Sequence, residues 1–184
     1  HPWAPSALDR LEALDPCAGR HTTVELSWAL AALAFHRRLD IDEGLTVRIA
    51  RRLVGSIQEG SDLFPHYPTE SGRHWLRGHV ASFADQVYPI QALSLYYRAS
   101  GDVQALDAAR RCARRICSLQ GPRGQWWWHY DVRTGRVIER YPVYSVHQDA
   151  MAPMALFALR EAGGDDHADS VERGLLWLFD PPRP

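Results

Sequence analysis

Apolar residues recur at helical spacing in six stretches along the chain, and the stretches come in pairs. The first member of each pair, about 23–38, 86–100 and 149–162, is apolar around most of its circumference. The second, about 42–58, 102–119 and 165–179, is amphipathic: Leu45, Ile49, Leu53 and Ile57, or Val103, Leu106, Ala113 and Ile116, keep one side apolar while arginines take the other. The pattern predicts helical hairpins, an inner helix followed by an outer one half in water. Start signals agree. Thr22-x-x-Glu25 has the form of a capping box, and Asp85 is a suitable N-cap for the second inner helix. Pro89 then falls in a first turn, where a missing donor is tolerated, whereas Pro153 lies deeper and is expected to kink its helix.

The pairs are copies of one another at a shift of 63 residues. Ala29-Leu30, Ala92-Leu93 and Ala155-Leu156 coincide, as do Gly101-Asp102 with Gly164-Asp165, Arg51-Arg52 with Arg114-Arg115, His66-Tyr67 with His129-Tyr130, and Gly72-Arg73 with Gly135-Arg136. The expected organisation is a single all-α domain, 1–184, of three helical-hairpin units at about 22–84, 85–147 and 148–184 after a short extension, 1–21. Long connections, 60–84 and 121–147, lead from each outer helix to the next inner one. In the second, Gln125–Tyr130 and Arg136–Tyr144 around Thr134-Gly135 predict a small β-hairpin insertion near 124–144. Repeated hairpins bury their faces only against neighbours, so the array is expected to curve and close, completed by further units or by self-association.

Composition narrows the chemistry. Among 184 residues the net charge is -1, which gives no field favouring nucleic acid. All 21 basic residues are arginine and asparagine is absent, which removes a lysine Schiff base, a phosphate-binding lysine and N-glycosylation. Cys17, Cys112 and Cys117 fit neither a disulfide framework nor a zinc spacing and read as reduced thiols, so no metal or other cofactor is expected. No apolar run approaches the roughly 18 residues of a membrane helix, and no leader precedes His1. The expectation is a soluble, cytoplasmic protein.

At the end of the second outer helix stands Gln120-x-x-x-Gly124-x-Trp126, which resembles the QW repeat of squalene and hopene cyclases. There the glutamine bonds backbone at a helix end and the tryptophan stacks on it. The first unit keeps Gln58 and Gly60 but lacks the tryptophan. The alternation of inner and outer helices is similar to the α/α-toroid superfamily, which includes six-hairpin glycosidases and polysaccharide lyases on one branch, terpenoid cyclases and protein prenyltransferases on the other. The Asp-x-Asp-Asp acid motif of one group and the zinc set of another have no counterpart here, so the resemblance implies fold more than activity. It also implies a ligand funnel built from the connections 60–84 and 121–147.

The unusual residues collect in those connections: His66, Tyr67, His74, Trp75 and His79 in one, Trp126 to Tyr130, Arg140, Tyr141, Tyr144 and His147 in the other. Tyr141, Tyr144, His147 and Asp149 precede or open an inner helix, whose N-terminus favours anions, and form the candidate catalytic set. Trp127, Trp128, His129, Tyr130 and Arg140, with His79, Asp85, Gln86 and Tyr88 opposite, form the candidate binding set. Strand alternation puts Trp126 and Trp128 on one face and Trp127 on the other. Structural roles stand beside these: Gln148 and Asp149 as caps, Arg136 and Arg140 as surface charges, and His66 and His129, which the repeat aligns, in a job belonging to the fold. Tyrosine, histidine and arginine together suit a lyase that abstracts a proton beside a uronate carboxylate, and an aspartate suits hydrolysis. The polar mouth points to a carbohydrate-active protein acting on an acidic saccharide. Terpenoid cyclase or prenyltransferase-like chemistry, and a non-catalytic binding or scaffold module, are the alternatives.

Overall fold

The computed structural model describes residues 4–35, 44–68, 78–144 and 150–179. These form α1 (Ala4–Leu14), α2 (Thr23–Phe35), α3 (Leu45–Val54), β1 (Val80–Ser82), α4 (Ala84–Ser100), α5 (Val103–Leu119), β2 (Trp127–Asp131), β3 (Arg136–Pro142), α6 (Ala152–Glu161) and α7 (Ala168–Phe179). The architecture is mostly helical with one small antiparallel sheet. The predicted pairing of helices holds: α2 with α3, α4 with α5, α6 with α7. Helix α4 lies between α2 and α6 in one row, and α5 backs it while also touching α3 and α6.

The two kinds of helix behave as their patterns require. Leu26, Leu30 and Leu33 of α2, Ile90 and Leu93 of α4, and Ala155, Leu156 and Leu159 of α6 are buried where the row meets its backing helices. From α3 and α5, Ile49, Leu53, Cys112 and Ile116 meet them. Each such aliphatic side chain stabilises the fold by about 1.5–3 kcal/mol through burial. The arginine side of α5 is less open to water than a solvated face: Arg111 Nη2 reaches Asp62 Oδ1 at 2.7 Å, Arg110 donates to the Gly163 carbonyl, Arg114 pairs with Asp165, and Arg115 Nη2 donates to the Gly135 carbonyl at 2.7 Å. These bonds tie the outer helix to turns before and after it in sequence.

Helix starts correct two expectations. Ser82, not Asp85, supplies the capping oxygen before α4, one residue ahead of Phe83: the Asp85 amide donates to Ser82 Oγ at 3.2 Å, and the Asp85 carboxylate accepts from the Ser82 amide at 2.8 Å. The same reciprocal pair joins Thr22 and Glu25 at the start of α2, as predicted. With α4 beginning at Ala84, Pro89 falls inside the helix rather than in its first turn, while Pro153 occupies the first turn of α6. Each proline sits where the other was expected, because α4 starts earlier than the repeat suggested and α6 starts later, at Ala152.

The predicted hairpin is present as β2 and β3. Beyond the prediction, β1 from the other connection adds to it, giving the order β1-β2-β3 with Val80 opposite Asp131, Ala81 opposite Tyr130 and Ser82 opposite His129. Gln120 closes the end of α5 as the QW-like pattern implies, donating from Nε2 to the carbonyls of Gly124 and of Ser170 on α7, both at 2.8 Å. Gly124 has φ +92°, and a Cβ there would lie 2.0 Å from the Arg173 carbonyl oxygen, so only glycine lets this turn meet α7.

Candidate functional site

The loop at 63–68 is stitched to two helix starts. The Gln86 side chain bonds both the amide and the carbonyl of Phe64 at 2.9 Å, and the Thr23 amide donates to the His66 carbonyl at 2.8 Å. The Thr23 hydroxyl donates to the Pro65 carbonyl. His66 is thereby held between the N-terminal ends of α2 and α4, where its Nδ1 lies 3.1 Å from Oδ2 of Asp85. Asp85 is fully buried, and its carboxylate also accepts from the Ser82 hydroxyl at 2.8 Å. A buried carboxylate is tolerated when every contact is a donor. Because a carboxylate only accepts, Nδ1 of His66 carries the proton and Nε2 is left as an acceptor on a side chain that is 44% exposed. The hydrogen bond to Asp85 raises the His66 pKa, desolvation opposes it, and the charges of Asp85 and Glu25 raise it further.

Aromatic groups border this imidazole. Tyr67 meets it edge to face with ring centroids 4.6 Å apart, and the Arg20 guanidinium lies 4.5 Å above the Tyr67 ring. One turn into the same helices, Trp28 and Tyr88 meet edge to face at 5.4 Å, with Trp28 54% exposed. On the sheet side, His129 stands opposite Ser82 and Glu139 opposite His129, with His129 Nδ1 3.3 Å from Glu139 Oε2.

The residues expected at the site are distributed unevenly. His79 and Asp131 do bring the two connections together, the Val132 amide donating to the His79 carbonyl at 2.9 Å. Tyr88 and His129 are half-buried near the Asp85 dyad, and Trp128 is half-buried with its carbonyl accepting from Phe83. Four of the expected binding residues are buried. Asp85 and Gln86 hold the loop, Tyr130 is enclosed against the core with its hydroxyl pKa pushed up by burial, and Trp127 is buried with Nε1 donating to the Leu119 carbonyl at the end of α5. Trp126, which precedes β2, and Trp127 are both buried, and the register of β2 against β3 shifts at Trp127/His129 and at His129/Tyr130. Arg140 and Tyr141 are exposed on β3, and Tyr144 stacks on Trp177 of α7 at 5.2 Å, toward the Trp126–Trp127 end of the ladder. His147 and Asp149, like His74 and Trp75, lie outside the described residues.

The Asp85 half of the dyad was within reach of the sequence, because Ser82-x-x-Asp85 has the form of a capping box before an apolar run. Its partner His66, 19 positions earlier, carries no such signal. Among the described residues no group of three His, Cys, Asp or Glu could hold a metal ion, and no helix is long and apolar enough to cross a membrane. Burial pushes the Cys117 thiol up to about 11 and that of Cys112 well above its ordinary value, which leaves both unreactive. A surface groove of about 570 Å³ between Val54, Ile57 and Val103 shares no residue with the His66 cluster. No protein-family model and no curated protein sequence matches this chain.

Proposed function

We propose that the chain is a carbohydrate-active protein acting on an acidic saccharide at the N-terminal ends of α2 and α4, with His66 as its proton-transfer group. One observation carries the reading: a buried carboxylate, Asp85, holds Nδ1 of His66, and its outer edge stays open to solvent. That is the arrangement by which a histidine keeps one tautomer and accepts a proton at Nε2, the carboxylate stabilising the imidazolium that forms. Trp28 and Tyr88 supply flat apolar faces suited to sugar rings. The α/α-toroid arrangement is part of the proposal, α2, α4 and α6 being a segment of its inner ring.

The test is incubation with a panel of polyuronates and neutral glycans, scoring new reducing ends and ultraviolet-absorbing unsaturated ends. His66→Gln should lower turnover by about 10²-fold or more. Full activity in that variant, or none on any polyuronate in the unaltered protein, refutes the reading. A second reading draws on Trp28, Phe35 at 76% exposure and Phe157 at 38%, exposed apolar side chains of α2 and α6. Such a face suits an isoprenoid chain, and saturable binding of a prenyl diphosphate would favour it.

A further inference from the structure

We infer that Ser82 is the positioning residue for His66: its hydroxyl and amide occupy one oxygen of Asp85, which orients the carboxylate and sets how firmly the imidazole holds a proton. The inference rests on the role proposed for His66 and adds the residue that governs it. Both donors of Ser82 reach Oδ2 of Asp85 at 2.8 Å. Nδ1 of His66 straddles the two oxygens, 3.2 Å from Oδ1 and 3.1 Å from Oδ2, longer than the roughly 2.7–2.9 Å of an uncontested charge-assisted bond. The serine hydroxyl is locked in this role, because its oxygen also accepts from the Asp85 amide at 3.2 Å.

Ser82 is itself fixed from two sides. On the sheet it stands opposite His129, and the Phe83 amide beside it donates to the Trp128 carbonyl at 2.9 Å. From α4, Gln86 Nε2 donates to the Ser82 carbonyl at 3.3 Å, and the same side chain bonds the amide and carbonyl of Phe64. A closed ring of contacts therefore runs from Ser82 through Asp85, His66, Phe64 and Gln86 back to Ser82. This is no nucleophilic triad, in which the serine gives its proton to Nε2 of the histidine. Here the hydroxyl proton points at the aspartate. A donor on a carboxylate offsets part of its negative charge, so less of that charge acts on the imidazolium beside it. The other charged groups near this histidine are Glu25 of α2, with His21 3.6 Å from it, and Arg20 above the Tyr67 ring. Removing the hydroxyl alone leaves the Ser82 amide on Oδ2 and the loop on Gln86, so His66 stays in place and meets a fuller charge.

The experiment is a nuclear magnetic resonance titration of His66 in Ser82→Ala, Ser82→Cys and Ser82→Thr. In Ser82→Ala the midpoint should rise by about 0.5–1 pH unit, a gain of about 3- to 10-fold in proton affinity. Ser82→Cys, which keeps the volume but offers only a weak donor, should give a smaller rise, and Ser82→Thr, which restores the hydroxyl, should return the midpoint to that of the unaltered protein. Loss of a helix cap alone predicts the opposite sign, since a loosened dyad lets the midpoint fall toward 6.5. A midpoint that stays or falls in both Ser82→Ala and Ser82→Cys overturns the inference, as does a rise that Ser82→Thr fails to reverse. On a polyuronate, the low-pH limb of kcat/KM in Ser82→Ala should move upward with the midpoint. The titration needs no substrate, so inactivity on every polyuronate refutes the proposed function while the assignment of Ser82 stands, and a failed titration series refutes Ser82 while leaving His66 to the activity assay.

Discussion

Replacing Asp85 by alanine tests the arrangement at its centre. The carboxylate accepts from the Ser82 amide and hydroxyl, each at 2.8 Å, and from His66 at 3.1 Å, with no exposure to water. Loss of a helix cap costs about 1–2 kcal/mol. A hydrogen bond to a charged group contributes about 1.5–3 kcal/mol. The expected destabilisation is about 3 kcal/mol, measured by urea unfolding, which for a chain of this size corresponds to a fall in Tm of about 6–12 °C. Stability alone does not separate a cap from a dyad. Nuclear magnetic resonance titration of His66 does, since without Asp85 its midpoint should drop toward or below the ordinary 6.5. A loss under about 1 kcal/mol, with the His66 midpoint unmoved, would refute the claim that this carboxylate holds the histidine.

Two further outcomes follow from the same geometry. The raised His66 pKa means that the folded state binds the proton more tightly than the unfolded chain, so its stabilisation is fully present below about 6.5 and is lost as pH rises through the higher folded value. Asp85 and Glu25 are the charges that act on it, and His167, whose pKa burial lowers, contributes with the opposite sign. The difference in unfolding free energy between the unaltered protein and His66→Gln should therefore shrink above neutrality, and a difference independent of pH would contradict it. Gly124→Ala should destabilise by at least about 2 kcal/mol in thermal melts, combining left-handed backbone strain with displacement of α7. A near-neutral effect would mean that the Gln120 turn and α7 do not meet closely.

Much of the architecture was legible because its causes are local. Helical periodicity separates the all-round apolar α2 from the one-sided α5, and Thr22-x-x-Glu25 marks a helix start within a few residues. The turn at Gly135, with φ +67°, likewise announces the β2–β3 hairpin. The repeat misled where loops differ in length: the capping boxes begin at Thr22 and Ser82, 60 positions apart rather than 63, which moved Asp85 from a cap into the buried partner of His66.

By itself, then, the order of residues determined the six paired helices, which sides of them are apolar and where the hairpin turns, since each is decided by neighbours a few positions away, while α1 lay unread in the extension 1–21. Tertiary structure alone decided which histidine meets a carboxylate, that β1 joins the hairpin, and that Trp126 and Trp127 are both enclosed. Those outcomes depend on packing between segments separated along the chain. The side chains concerned, His66 and Asp85 among them, carry no periodic mark of the partner they will find.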